Sequence, residues 1–323
     1  MNTIHNVLEQ LDLGKPVEHD GLSMFPLLGG LSVTKDYLTL DEALAANAAS
    51  VVEVSESGSV PSLLFRNNGE KAVFLLDGEE LVGAKQNRIL NISILAPAMK
   101  DTVIPVSCVE AGRWSQNSPD FRAAPRAQFS ESRARRSAHV SEDIKATGNR
   151  RSNQADVWHD VSMKLASLGS HSPSQAVERA FEDNADRLER YVRELRAIDG
   201  QFGAVFAVHG RVTGLEVFDC PETCGSLLPK IIRSYALDAI DPRTRGREQG
   251  EAISPEKFLQ QVAGAKYHES DAVGEGADLR FENGNGLAGG ALKARDRIVH
   301  LVAFRLSDAN PHASGRVHRA YFR

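Results

Sequence analysis

The chain has 323 residues, 41% of them hydrophobic and 25% charged, with a formal net charge of −5. That length can bury a large core without help from disulfides or a structural metal, and the composition excludes a wholly disordered or collagen-like chain. A mildly acidic whole speaks against general nucleic-acid binding, which rests on neutralising phosphates with Lys and Arg. The three cysteines, Cys108, Cys220 and Cys224, are too few and too irregular for a disulfide framework. The opening residues show no basic and apolar leader, and no apolar run reaches the roughly 20 residues a membrane helix needs. The expectation is a cytoplasmic protein with no membrane contact.

In chain order, Leu31–Leu40 reads as a strand, and Asp41 as the cap of a short helix, because its side chain can accept from free first-turn N–H groups. Ser50–Val54 and Ser62–Arg66 are β-like. Ala72–Val82, Ile89–Leu95 and Thr102–Val109 read as three stronger strands of an antiparallel meander. Ser115–Gln154 is rich in Arg, Ser, Ala and Asn, and reads as a long loop. Helices follow at Ala155–Leu168 and Pro173–Ile198, the second with apolar residues at helical spacing. Gly203–Phe218 reads as a hairpin, and Leu227–Ala239 and Pro255–Ala265 as helices, the latter opened by Ser254 and Pro255. Ala291–Leu306 is β again, bending at Arg295-Asp296. This order lacks a regular βαβ alternation, so the fold expected is α+β and not a doubly wound parallel sheet. One composite domain covers 1–323: a β-rich part (1–114), the Arg/Ser-rich loop (115–154), then helices and hairpins (155–323).

Several motifs mislead. Gly284, Gly286 and Gly289 match a dinucleotide fingerprint but lack a buried strand before them and a complete βαβ unit, so they read as hairpin-loop glycines. Gly78, Gly83 and Lys85 approach a phosphate loop, but Gln86 stands where Ser or Thr is needed. Cys220 and Cys224 have no further ligands at zinc spacing.

Asp77–Trp114 is different. DGEELVGAKQNRILN packs both signs of charge and several carboxamides between two β-like runs, where a plain hairpin needs two to five residues. Carboxylates serve acid–base work or a divalent metal, Arg holds phosphate or carboxylate, and Asn and Gln bind hydroxyls or a base edge. Glu80 and Glu110 are the candidate general bases or metal ligands, with Lys85 beside them as a third catalytic candidate. Lys85, Arg88 and Arg113 are the anion-holding candidates, Gln86, Asn87 and Asn91 the hydroxyl binders, and Trp114 a stacking platform. Glu110 closes an apolar row of Ile104, Val106 and Cys108, so partial burial is expected to raise its pKa. The bland alternative makes Glu79, Glu80 and Lys85 a solvated edge with weak ion pairs. Cys108 is an alternative nucleophile, though a packed small side chain is the commoner role; a distant partner such as His300 would be needed to activate it. Glu216 and His300 are weaker candidates, His300 reading first as a buried, hydrogen-bonded histidine. Arg122, Arg126, Arg133, Arg135, Arg136, Arg150 and Arg151 read as a solvated loop, or more sharply as a phosphate-gripping lid.

At DGEELVGAKQNRILN and VSCVEAGRW the sequence resembles the ARG and rhodanese-phosphatase-superfamily-associated protein family, where ARG is ADP-ribosylglycohydrolase. The resemblance implies an enzymatic domain linked by association to ADP-ribose and phosphoester chemistry, and supplies no catalytic residue of its own. The expected function is therefore a hydrolase acting on a small phosphorylated, nucleotide-like or ADP-ribose-like ligand. A non-catalytic ligand sensor or protein-interaction module built on the same pocket is the alternative. A homo-oligomer is the base-rate expectation, C2 dimers being commonest.

Overall fold

The computed structural model describes residues 3–30, 33–245, 253–282 and 286–306. Its helices are α1 (Thr3–Leu8), α2 (Leu40–Ala45), α3 (Ser130–Thr147), α4 (Gln154–Leu168), α5 (Glu178–Asp183), α6 (Ala185–Glu194), α7 (Pro221–Ile240) and α8 (Pro255–Ala263). Strands outnumber them and pair almost wholly antiparallel, so the α+β class holds. No helix among the described residues is long and apolar enough to cross a membrane.

Two β-assemblies carry the fold. The first is a closed barrel in the order 100–108, 62–67, 49–53, 121–127, 79–83 and 88–90. Alternate residues point inward along each strand, and Val51, Leu63, Phe65, Leu81, Leu90, Ile104, Val106 and Phe121 fill one apolar core. The second is a large sheet in the order 11–13, 22–29, 201–208, 211–218, 297–305, 287–294, 277–281 and 267–271, with 17–19 added beside 22–29. Both faces of this sheet are covered. Ala204, Phe206 and Val208 pack with residues of α7, whereas Val205 and Ala207 pack with Ile4 of α1 and Phe258 of α8. Strand 201–208 is accordingly buried along its whole length.

The expected meander is corrected in its wiring. Two of the three expected strands, Ala72–Val82 and Ile89–Leu95, each split in two, while Thr102–Val109 stands as the single strand Lys100–Cys108. Val73–Leu75 and Ile94–Ala96 pair with each other in a small separate sheet, while Glu79–Gly83 and Arg88–Leu90 join the barrel. Gly78, at φ +78°, makes the break: a Cβ there would lie 2.6 Å from Arg133 Nε, so a side chain would clash as well as strain the backbone.

Residues 115–154 are also corrected. They form strand Phe121–Ala127 and the whole of α3. Arg126, Arg133 and Arg136 are buried there, so they form neither a solvated loop nor a lid. The low apolar content that suggested a loop is explained by partners: this helix buries arginines against carboxylates rather than leucines against leucines. Asn184 divides the expected helix 173–198 into α5 and α6. Thr39, not Asp41, caps α2, in a reciprocal capping box with Glu42, which frees Asp41 to pair with Lys230 at 2.7 Å. Of the expected strand 31–40 only Leu38–Thr39 is β, and 31–32 lie outside the described residues. The hairpins at 201–218 and 287–305 stand as expected; His209-Gly210 and Arg295-Asp296 both take positive φ at their tips. Of the Gly284–Gly289 motif, Gly284 lies outside the described residues and Gly289 belongs to strand Leu287–Ala294.

Lys164 illustrates how the helices are locked. Fully buried, it holds Asp238 at 2.7 Å and Asp241 at 2.6 Å. Burial pushes the Asp241 carboxyl up, but Arg243 and Lys164 outweigh it and hold it well below the usual carboxylate range. A folded pKa below the unfolded one gives stability that is complete above about pH 4 and is lost as the pH falls. Lys164→Ala is expected to cost about 3–5 kcal/mol by leaving buried carboxylates uncompensated. It should also flatten the acid limb of stability. Urea midpoints of both proteins between pH 3 and 7 check both outcomes.

Candidate functional site

The structure divides the Asp77–Trp114 residues between the two sides of the barrel wall. Because side chains alternate along strands, Asn87 and Glu80 face outward, while Arg88 and Cys108, paired across neighbouring strands, continue the inward rows of Leu90 and of Ile104 and Val106.

Outside, a cleft of about 410 Å³ is lined by Gly83, Asn87, Glu110, Arg113, Arg122 and Glu178, among others. Most of its charges are paired. Arg113 Nη2 meets Glu110 Oε2 at 2.7 Å and donates to Asn87 Oδ1 at 3.1 Å. Asn87 donates through its backbone N–H to Glu110 Oε2 and through Nδ2 to Glu178 Oε2, both at 3.1 Å. Glu178, from α5, also receives Arg122 at 3.2 Å and Arg126 at 3.1 Å. Behind them Glu80 is fully buried and takes Arg126 Nε at 2.5 Å on one oxygen, while Oε1 has no partner.

The solvated-edge alternative fails for Glu79 and Glu80, since both are buried, Glu79 against Lys230. The expected rise of the Glu110 pKa is reversed. Burial pushes it up, but hydrogen bonds from Arg113, Ser174 and the Asn87 N–H hold it below its ordinary value. Glu80 is the carboxyl that burial raises, against the opposing charge of Arg126.

Inside the barrel mouth the balance is open. Arg88 is fully buried and spends only Nη1, on Gln86 Oε1 at 3.0 Å. Its Nε and Nη2, the two donors on one edge of the guanidinium, have no hydrogen-bond partner. Burial lowers the Arg88 pKa, with Cys108 and Glu53 the acidic groups opposing that fall. The exposed Trp114 lies over the guanidinium at 5.5 Å, and Lys85 lies over the same ring at 5.7 Å. Lys85 Nζ also donates to Glu56 O, tying the mouth loop down. Gly58 of that loop, at φ +75°, faces all three neighbours. A Cβ there would stand 3.1 Å from Lys85, 3.2 Å from Glu53 Oε2 and 3.4 Å from Trp114. Glu53 Oε2 is itself buried and unpartnered, and the Trp158 indole N–H lies beside the Cys108 sulfur.

Two sequence candidates are placed elsewhere in role. Asn91 is buried and engaged with Arg150 O at 2.9 Å and Ser107 Oγ at 2.6 Å, away from the cleft and the mouth. Gln86 spans the wall, donating to Glu110 O at 2.8 Å while holding Arg88. Glu53, Trp158 and Glu178 were missed, because no local signal joins them to the Asp77–Trp114 segment; only barrel closure and the packing of α4 and α5 bring them there. Among the described residues no group of three His, Cys, Asp or Glu stands in metal-binding proximity.

One protein family matches residues 10–304, the ARG and Rhodanese-Phosphatase-superfamily-associated Protein domain. The chain belongs to that family. Its matched region takes in the barrel, the sheet and the candidate site together. Neither curated proteins nor solved structures gave a match.

Cys108 is poorly set up as a nucleophile. Burial pushes its thiol up, the nearby Arg88 only partly opposing this, and both His300 nitrogens are taken by Ser93 and Glu216. The thiolate is the reactive form, so native protein at pH 7.5 is expected to gain no iodoacetamide adduct at Cys108, and to gain one once unfolded in urea. Intact mass and peptide mapping read the result; rapid native labelling of Cys108 would restore the thiol reading.

Proposed function

We propose that the barrel mouth binds a small phosphorylated, nucleotide-like ligand and that the protein is a hydrolase of such ligands, in keeping with the ADP-ribose-related associations of its family. The observation that carries this reading is the free edge of Arg88. A buried guanidinium with two unused parallel donors is costly to maintain, and that edge matches two oxygens of a phosphate or carboxylate. Trp114, half-exposed beside it, offers a face to a flat ring. The unpartnered Glu53 oxygen accepts from a hydroxyl or an exocyclic amine. Lys85, held over Trp114, adds a second positive charge at the entrance.

For hydrolysis, the carboxylates divide by environment. Glu53 accepts from the Lys85 backbone N–H on one oxygen, and its other oxygen, unpartnered at the mouth, is placed to take a proton from water. Glu110 is held charged by Arg113 and serves to position Asn87 and the wall of the outer cleft. Glu80, raised by burial, orients Arg126. The ion pairs that engage Glu110, Glu178 and Arg126 in the outer cleft favour a positioning role there. A second reading is non-catalytic sensing at the same mouth, favoured by the raised Cys108 thiol; it predicts that bound ligand is recovered chemically unchanged.

Two outcomes are expected. Arg88→Met replaces a half-satisfied buried cation by an apolar chain of similar length. It should be neutral or stabilising, by up to about 4 kcal/mol, while abolishing ligand binding. In a thermal-shift panel of ADP-ribose, NAD, mononucleotides and sugar phosphates, a ligand at a hundred times its Kd should stabilise wild type by about 2.7 kcal/mol and leave Arg88→Met unmoved. A ligand that shifts both proteins equally, or a panel without any shift, overturns the barrel-mouth site. Glu53→Gln should keep binding and lose turnover; full turnover in that variant removes Glu53 as the base.

A further inference from the structure

A second constellation lies where the barrel meets the large sheet, on the far side of the Asp77–Asn91 segment from Arg88. Ser93 sits on the link between the barrel strand 88–90 and the small-sheet strand 94–96. Its Oγ lies 2.9 Å from His300 Nδ1, and His300 Nε2 lies 2.9 Å from Glu216 Oε2. Glu216 and His300 come from adjacent strands of the large sheet. Three distant segments therefore place a hydroxyl, an imidazole and a carboxylate in one hydrogen-bonded line.

The line is held rigidly. The His300 ring stacks on Phe218 at 4.8 Å and meets the edge of Phe74 at 5.8 Å. Arg133 Nη1 grips the other Glu216 oxygen at 2.6 Å, and the Asp77 backbone N–H donates to Ser93 Oγ at 2.9 Å. His300 and Glu216 are buried, but Ser93 is only half-buried, so the end of the line that would meet a substrate is the end open to solvent. Around it the polar atoms are incompletely used. Arg136, which holds Asp77 Oδ1 at 2.9 Å, leaves Nε without a hydrogen-bond partner, and Asp77 leaves Oδ2 without one, whereas Arg280 Nε pairs with Asp278 Oδ1 at 2.9 Å. Arg136, Arg133, Arg280 and His300 all act on Asp77. A purely structural zipper would be expected to close such groups on one another.

We propose that Ser93, His300 and Glu216 form a nucleophilic serine centre for carboxylic esters that carry a negative charge near the scissile bond. Nucleophile, base and orienting carboxylate stand within hydrogen-bond reach in the order such chemistry needs. With Nε2–H donated to Glu216, His300 Nδ1 is the free base. Ser93 Oγ bonds to the ester carbonyl carbon as its proton passes to Nδ1. The carbon–alkoxy bond then breaks, and the leaving oxygen takes that proton as the alcohol. Water attacks the acyl-serine, giving a proton to Nδ1 that returns to Ser93 Oγ as the carboxylic acid leaves. Glu216 holds the imidazole in place throughout, and the unused Nε of Arg136 meets the substrate's anionic group.

The test is active-site labelling of the full chain with a biotinylated fluorophosphonate, mapped by peptide mass spectrometry. The expected result is one adduct, on the peptide containing Ser93. It should be absent in Ser93→Ala and at least tenfold slower in Glu216→Gln, with circular dichroism and melting temperature showing both variants folded. Release of 4-nitrophenol should be at least tenfold faster from 4-nitrophenyl hydrogen succinate than from 4-nitrophenyl acetate. No adduct on Ser93 in the wild-type protein overturns the proposal, whatever the variants do. Equal labelling in folded Glu216→Gln overturns the relay, and equal ester rates overturn the anionic preference.

Discussion

Asp77 is the anion on which the barrel and the large sheet meet. It takes Arg133 Nε at 3.2 Å and Arg136 Nη2 at 2.9 Å on the same oxygen, and Arg133 reaches on to Glu216 of the sheet. Every one of these side chains is buried. Charges so placed gain little net stability over apolar packing, since desolvation offsets much of their attraction, but removing one leaves its partner stranded at a cost of several kcal/mol. Such a knot specifies more than it stabilises. Burial pushes the Asp77 carboxyl up, but Arg136, Arg133 and Arg280 outweigh it and keep it ionised. The helix α3 can then run through the interior with arginines on its buried face, and the segment after Asp77 is fixed in direction. The position of Glu79–Asn91 along the barrel wall follows from that anchoring.

The two sides of the wall then differ in one property, the state of their hydrogen bonds. In the outer cleft Arg113, Asn87, Glu110, Glu178 and Arg126 answer one another, with Arg113 Nε and Glu80 Oε1 left over. In the mouth Arg88 keeps two buried donors unused and Glu53 one buried acceptor, all close together. In a molecule where most buried polar groups find partners, concentrated exceptions mark the places where something else is expected to bind. An apolar residue at position 88 would extend the rows of Leu90 and Val106 and strengthen the barrel core. The retention of a half-satisfied guanidinium there is a local conflict between stability and function of the kind binding sites tolerate.

How much of this was legible beforehand follows from the range of each signal. Local patterns reported local structure well. The α4 helix, the hairpins tipped by His209-Gly210 and Arg295-Asp296, the Ser254-Pro255 start of α8 and the antiparallel α+β class all rest on spacing within a dozen residues. The density of charge and carboxamide between Asp77 and Trp114 marked a segment that the structure divides between the outer cleft and the barrel mouth. What composition misread was 115–154, since a helix that buries arginines has the same polar content as a solvated loop. Only the carboxylates of Asp77, Glu80 and Glu216 distinguish the two, and Glu216 stands 83 residues from Arg133.

The sequence by itself determined the class of fold, the family and most of the local element types, because periodicity, turn residues and motif spacing act between neighbours. Which face each side chain takes was decided by tertiary structure alone. Gly78 breaks a long β run, so that Glu79–Gly83 enters the barrel while Val73–Leu75 pairs elsewhere. Barrel closure then turns Arg88 inward and Asn87 outward, and sets Glu53 from a strand 35 residues earlier in the mouth with Arg88. Sheet pairing of Phe218 with His300 places His300 against Glu216 and Ser93. Burial, charge state and the absence of a partner are properties of that three-dimensional arrangement, and no pattern along the chain encodes them locally.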